Sequence, residues 1–129
     1  MYAKLPDAEL EIMKIIWGNT VPTTSAYVCE QLAGKKDWAV TTVLNFLARL
    51  VNRGFLSVQR TGKTNIYTPT VGEAEYVENE SKSFLEKLHG NSLQRFVASL
   101  YNGKAISSKE LDELKRFIDE KAGEANANS

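Results

Sequence analysis

Between Asp37 and Lys63, Thr41, Thr42, Asn45 and Arg49 recur at steps of one, three and four residues. At 100° per residue, Thr41, Asn45, Ala48 and Asn52 share one face of a helix, flanked by Thr42 and Arg49. Val43, Phe46, Leu47, Leu50 and Val51 take the opposite side. Hydroxyls, amides and a guanidinium are hydrogen-bonding groups, and nothing among them is poised as a nucleophile or base. Their chemistry is therefore recognition of a surface. The side chains are also short, whereas a merely solvated helix face usually carries Glu and Lys, better helix formers than Thr and Asn. Short polar groups suit a helix that presses against another surface, such as the floor of a DNA major groove.

The neighbouring elements present that face. Gly54 stands where a helix stops in the left-handed conformation, Phe55 to Arg60 reads as extended, and Thr61-Gly62-Lys63 is a turn tipped by a cation. Asn65 to Thr68 returns as a second strand, with Pro69 restricting it to an edge or an end. This is the outline of a winged helix-turn-helix; an ordinary amphipathic helix plus hairpin is the plain alternative. Upstream, Asp7 is expected to cap a helix with Ile12, Met13, Ile16 and Trp17 on its apolar face. Thr20 to Pro22 is expected as a short strand beside the wing. A second helix opens at Pro22-Thr23-Thr24, with Ala26, Cys29, Leu32 and Ala33 as its buried stripe. Connections this short before the polar-faced helix match the helix-turn-helix layout.

Downstream, helical patterns run from Gly72 to about Leu88, from Leu93 to about Tyr101, and onward from a capping box of Ser107 with Glu110. Beyond Lys121 the periodicity stops, and 122–129 is expected to fray. Three short helices, each with one apolar stripe, make a thin core by themselves. Burial against the same helices of a second chain solves this, and Phe84, Leu88, Leu93, Phe96, Val97, Leu100, Leu111, Leu114 and Ile118 are the candidate dimerisation residues. The expected organisation is mainly α with a small β-wing: a winged-helix DNA-binding domain over 1–71 and a helical dimerisation domain over 72–121.

The chain of 129 residues, 43% apolar and 25% charged, is that of a folded soluble protein. No apolar run is long enough to span a membrane and no signal-peptide core is present, so a cytoplasmic location is expected without membrane insertion. Net charge is zero but divided: 1–70 holds eight basic against five acidic residues, a net of +3, and 71–129 a net of −3. The basic half coincides with the polar-faced helix and wing, where phosphate would be attracted. Cys29 reads as a small buried hydrophobe, and His89 as a helix-end residue in contact with the dipole. No Cys/His cluster, phosphate-cradling loop or catalytic constellation is present, so neither cofactor, metal nor enzymatic activity is expected.

Several segments together resemble the penicillinase repressor family, the BlaI/MecI/CopY group of bacterial winged-helix repressors. They are Leu5-Pro-Asp-Ala-Glu-Leu-Glu-Ile-Met-Lys-Ile-Ile-Trp17, Lys36-Asp37-Trp38, Thr42-Val43 and Leu47 through Phe55, with Asn91-Ser92-Leu93 and Ser107 through Leu114 in the later part. The resemblance covers about Leu5 to Lys121. It implies a homodimer that represses transcription from an operator with dyad symmetry. It also implies relief by a sensor metalloprotease that cuts in the dimerisation domain. The family's cut falls at an Asn-Phe bond, and the matching position here is Arg95-Phe96. The Cys-rich end of the copper-responsive branch is absent. Some members carry a basic residue where this chain has Thr41 or Leu44, so their operator sequence is not carried over.

The expected function is thus a homodimeric DNA-binding repressor, of a β-lactam-resistance or related operon under that resemblance. Thr41, Thr42 and Asn45 face base edges, while Arg49, Arg60 and Lys63 contact phosphates. The competing expectation is a winged-helix module that binds protein and not DNA.

Overall fold

The computed structural model describes residues 4–127. In chain order it contains α1 (Asp7–Gly18), β1 (Thr23–Thr24), α2 (Ser25–Leu32), α3 (Val40–Asn52), β2 (Leu56–Thr61), β3 (Thr64–Pro69), α4 (Glu73–His89), α5 (Leu93–Asn102) and α6 (Ser108–Ala127). The chain divides into one compact unit ending at Ser81 and a second beginning at Lys82, so the division falls inside α4 and not at the expected 71/72. Tyr76 supplies the reason. It is buried on α4, its hydroxyl oxygen accepts the Leu5 N–H at 2.8 Å, and its ring meets Trp17 and Phe55 at 5.7 and 5.5 Å. The start of α4 therefore belongs to the first unit.

The core of that unit collects the apolar faces of α1, α2 and α3. Ile12, Met13 and Ile16 of α1 are buried as their spacing requires, while Trp17 is half-buried and donates its indole N–H to the Val71 carbonyl at 2.9 Å. Pro6, and not Asp7, occupies the N-cap of α1, leaving Asp7 and Glu9 in the first turn near the positive helix end. Glu9 departs from pattern: it is 1% exposed, and its Oε1 lies 2.9 Å from Nε of Arg53, just past the end of α3. The contact is an ion pair that falls off the line of a hydrogen bond.

Two expectations for the second helix shift. The strand beside the wing is Thr23–Thr24 instead of Thr20 to Pro22, and α2 begins after it at Ser25, with the Thr24 hydroxyl accepting the Tyr27 N–H at 3.1 Å. Its buried stripe is Val28 and Leu32, with Cys29 half-buried and Ala26 and Ala33 exposed. Val28 and Leu32, four residues apart, offer the larger apolar side chains to the core, so the helix settles on them.

Val43, Leu47 and Leu50 anchor α3. Its end is a Schellman motif: Gly54 adopts φ +84°, its N–H reaches the Val51 carbonyl at 3.1 Å, and the Phe55 N–H reaches Leu50 at 2.9 Å. That reversal sends the chain into the wing. β3 lies in the middle of the antiparallel sheet, pairing with β1 at Thr23↔Tyr67 and with β2 from Leu56↔Pro69 to Thr61↔Thr64. Gly62-Lys63 is the two-residue turn, with Gly62 at φ +64°. Pro69 ends β3, where its missing N–H costs no ladder bond.

In the second unit the Ser107–Glu110 capping box forms as expected: Ser107 Oγ accepts the Glu110 N–H at 3.2 Å and Glu110 Oε1 accepts the Ser107 N–H at 3.1 Å. Residues 122–127, expected to fray, continue α6 to Ala127. Alanine-rich sequence and a Lys121–Glu124 ion pair at 3.2 Å favour that extension locally, without tertiary burial.

Two substitutions probe this frame. Arg53→Gln is expected to lower stability by about 2 kcal/mol, as it leaves the buried Glu9 carboxylate without its cation, and urea unfolding reads the loss. Burial raises the Tyr76 hydroxyl above its ordinary value, with the Leu5 amide opposing and Glu80 adding. A raised folded value means that the unfolded chain gives up this proton first. The stability that Tyr76 contributes is therefore complete below about pH 10 and is lost as pH rises above it. Urea melts at about pH 9 and 11 are expected to show a smaller alkaline loss in Tyr76→Phe than in the parent chain.

Candidate nucleic-acid interface

With Val43, Leu47 and Leu50 turned inward, the opposite side of α3 is open. Thr41, Asn45 and Arg49 are exposed along one row of four-residue steps, and Thr42 is half-buried beside them. The structure thus brings three of the four expected helix residues fully to the surface. A parallel row, Val40, Leu44 and Ala48, is exposed as well, with Val40 at 60% and Leu44 at 38%.

Aromatic packing steadies the start and flank of the helix. Trp38 meets Phe46 at 5.3 Å between ring centroids, Lys36 Nζ stands 5.8 Å from the Trp38 ring, and the Arg49 guanidinium lies 5.7 Å from the Phe46 ring. Arg49 is held this way while its fork stays exposed to an anion. On the wing, Arg60 Nε donates to the Gly62 carbonyl at 3.1 Å, drawing the guanidinium along the hairpin toward Lys63 in the turn. Both cations are exposed.

Arg53 is engaged differently. The Glu9 carboxylate holds it, so it ties α1 to the end of α3. Sequence reading missed this pair, although a signal existed: Glu9 stands three, four and seven residues before Ile12, Met13 and Ile16, on their own stripe. The exposed Val40 and Leu44 belong to neither the apolar stripe nor the polar row read from the sequence. Among the described residues, no group of three or more His, Cys, Asp or Glu side chains is placed to hold a metal ion.

The second unit presents a different surface. From Lys82 to Ala127 no described residue is buried. Phe84, Leu88, Leu93 and Ile118 are exposed, Leu88 at 65% and Leu93 at 55%, while Phe96, Val97, Leu100, Leu111 and Leu114 are half-buried. An apolar groove of about 430 Å³ runs between α5 and α6, lined by Leu93, Val97, Tyr101, Leu111, Leu114 and Ile118 among others.

Residues 5–120 match the family model described as penicillinase repressor. The penicillinase repressor of Bacillus licheniformis is 32% identical over 117 residues, covering 91% of each chain. Two solved structures are similar at 32% identity. The solution structure of the DNA-binding domain of the repressor BlaI superposes with a TM-score of 0.52, covering 59% of this chain and 94% of that one. The monomeric form of Bacillus licheniformis BlaI, solved in complex with the blaP half-operator, gives 0.50 over 59% and 92%. The chain belongs to the penicillinase repressor family. It is a DNA-binding transcriptional repressor with a winged-helix fold, and not an enzyme. Among the described residues, no helix is long and apolar enough to cross a membrane.

In this repressor the Arg95-Phe96 peptide lies in the first turn of α5. Ser92 Oγ accepts the Arg95 N–H at 3.1 Å, the Ser92 carbonyl accepts the Phe96 N–H at 3.2 Å, and the Phe96 carbonyl accepts the Ser99 hydroxyl at 2.8 Å. Arg95 is exposed, whereas the Phe96 ring packs against Phe84 and His89 at 5.5 and 5.2 Å.

Proposed function

We propose that this repressor works in the cytoplasm as a homodimer that lays α3 of each chain into the major groove of an operator with dyad symmetry. The observation that carries the reading is the exposed row of Thr41, Asn45 and Arg49 opposite a fully buried stripe, with Arg60 and Lys63 exposed on the adjoining wing. Thr41 and Asn45, with Thr42 at their margin, read base edges: a hydroxyl serves any base, and an amide bonds adenine in a bidentate manner. Arg49, Arg60 and Lys63 neutralise phosphates, which positions the protein and sets the salt dependence.

Dimerisation is assigned to the later helices. Phe84, Leu88, Leu93, Phe96, Val97, Leu100, Leu111, Leu114 and Ile118 offer apolar surface that a single chain leaves uncovered, and an isologous contact buries it twice over. Two linked reading helices then bind half-sites about one DNA turn apart, ~34–36 Å, or a multiple of it. Regulation of a β-lactam-resistance or related operon is part of the same reading. So is relief through cleavage of Arg95-Phe96 by a sensor metalloprotease. That peptide is helical, so the first turn of α5 has to open before a protease cleft can take it as an extended strand.

Asn45→Ala is expected to weaken operator binding while leaving nonspecific DNA nearly unchanged; equal weakening on both would show that Asn45 reads no base. Arg60→Ala weakens both and reduces the salt slope by about 0.9. A protein-binding module without DNA affinity would instead shift no fragment of its own promoter region at any salt concentration. Sedimentation at micromolar protein is expected to report two chains for the parent and one for Leu93→Glu with Ile118→Glu; a parent mass of one chain excludes the dimer.

A further inference from the structure

Side by side on the open side of α3 run two rows of unlike chemistry. Thr41, Asn45 and Arg49 carry hydrogen-bonding groups, whereas Val40, Leu44 and Ala48, one residue earlier at each step, carry only alkyl groups. Val40 and Leu44 are 60% and 38% exposed. A single exposed aliphatic residue needs no explanation. Two of them one turn apart, directly beside the row proposed to read bases, lie on the part of the helix that a groove would cover. Burying these groups against a base edge leaves whatever they touch without water. A carbonyl or exocyclic amine met in this way would lose its hydrogen bonds at a cost. The major groove offers one exposed apolar group on a standard base, the C5-methyl of thymine.

We infer that Leu44 and Val40 are specificity-determining residues that select thymine, by methyl contact, in each half-site of the operator. The inference rests on the proposed DNA reading by α3 and adds to it the base class met by the apolar row. Thr41 and Asn45 read donors and acceptors, and the row beside them reads shape and apolarity. Recognition by this row involves no charge, so its contribution is insensitive to salt, unlike that of Arg49, Arg60 and Lys63.

The test uses the full-length protein and a duplex that it enriches from a random-sequence pool. Each thymine of the enriched site is replaced in turn by deoxyuracil, which removes the methyl and keeps the pairing edge. At one or two positions per half-site, the parent is expected to bind about fourfold more weakly, the worth of one buried methyl-sized group. In Leu44→Ala or Val40→Ala that penalty falls to about twofold or less at the corresponding position, while the other positions keep theirs. Both side chains lie outside the core, so an unchanged thermal midpoint is expected to accompany the loss. Uracil penalties equal in the parent and in both variants would overturn the methyl contact while leaving DNA reading by α3 intact. An enriched half-site without thymine would do the same. Enrichment of no duplex at all would overturn the DNA reading and this inference with it.

Discussion

Val43, Leu47 and Leu50 are buried almost completely, and their packing beside the faces of α1 and α2 holds α3 by one side. Each such side chain contributes about 1.5–3 kcal/mol when fully buried, enough that the orientation of the helix about its own axis is not negotiable. Every feature of the open side follows from that rotation. Had the stripe turned by one residue, Thr41 and Asn45 would have moved toward the flank and a different row would meet the partner. The proposed reading surface is thus set by what the core takes in, and the polar residues occupy what remains.

Three further contacts keep the helix where that packing puts it. The Glu9–Arg53 pair ties its end to α1, the tilted contact of Trp38 with Phe46 steadies its beginning, and the left-handed Gly54 turns the chain into the wing. Preorganisation of this kind matters to a DNA-binding protein because base contacts are short and directional, so a misplaced helix loses them together. The same frame reaches forward through Tyr76, which brings the first turns of α4 into the winged-helix unit. The later helices follow a contrasting rule. They are locally well specified, with a formed capping box before α6 and a Ser92 cap on α5, yet from Lys82 onward they bury no described residue. Local propensity makes the helices, and the dimer proposed above would supply their burial.

Periodicity and turn chemistry make most of this fold legible in the sequence. The apolar stripe of α3, the stop at Gly54, the hairpin around Gly62 and the capping box at Ser107 are short-range features, decided by residues at most a few positions apart. The expected polar row of Thr41, Asn45 and Arg49 is the exposed row, since one helical period relates it to the buried one. Thr42 was less legible, being half-buried at the margin where a small rotation changes its exposure.

What the sequence by itself determined, then, is which segments are helices or strands and which side of α3 turns outward, because both depend on local periodicity. Tertiary structure decided the rest. It placed an acid within the core by bringing Arg53 to it across the fold. It chose Val28 over Cys29 as the buried residue of α2, because neighbouring helices and not the helix itself select the face. It also decided that Val40 and Leu44 stay in the open beside the polar row. Burial is a property of partners distant in the chain, and no spacing within one segment states who those partners are.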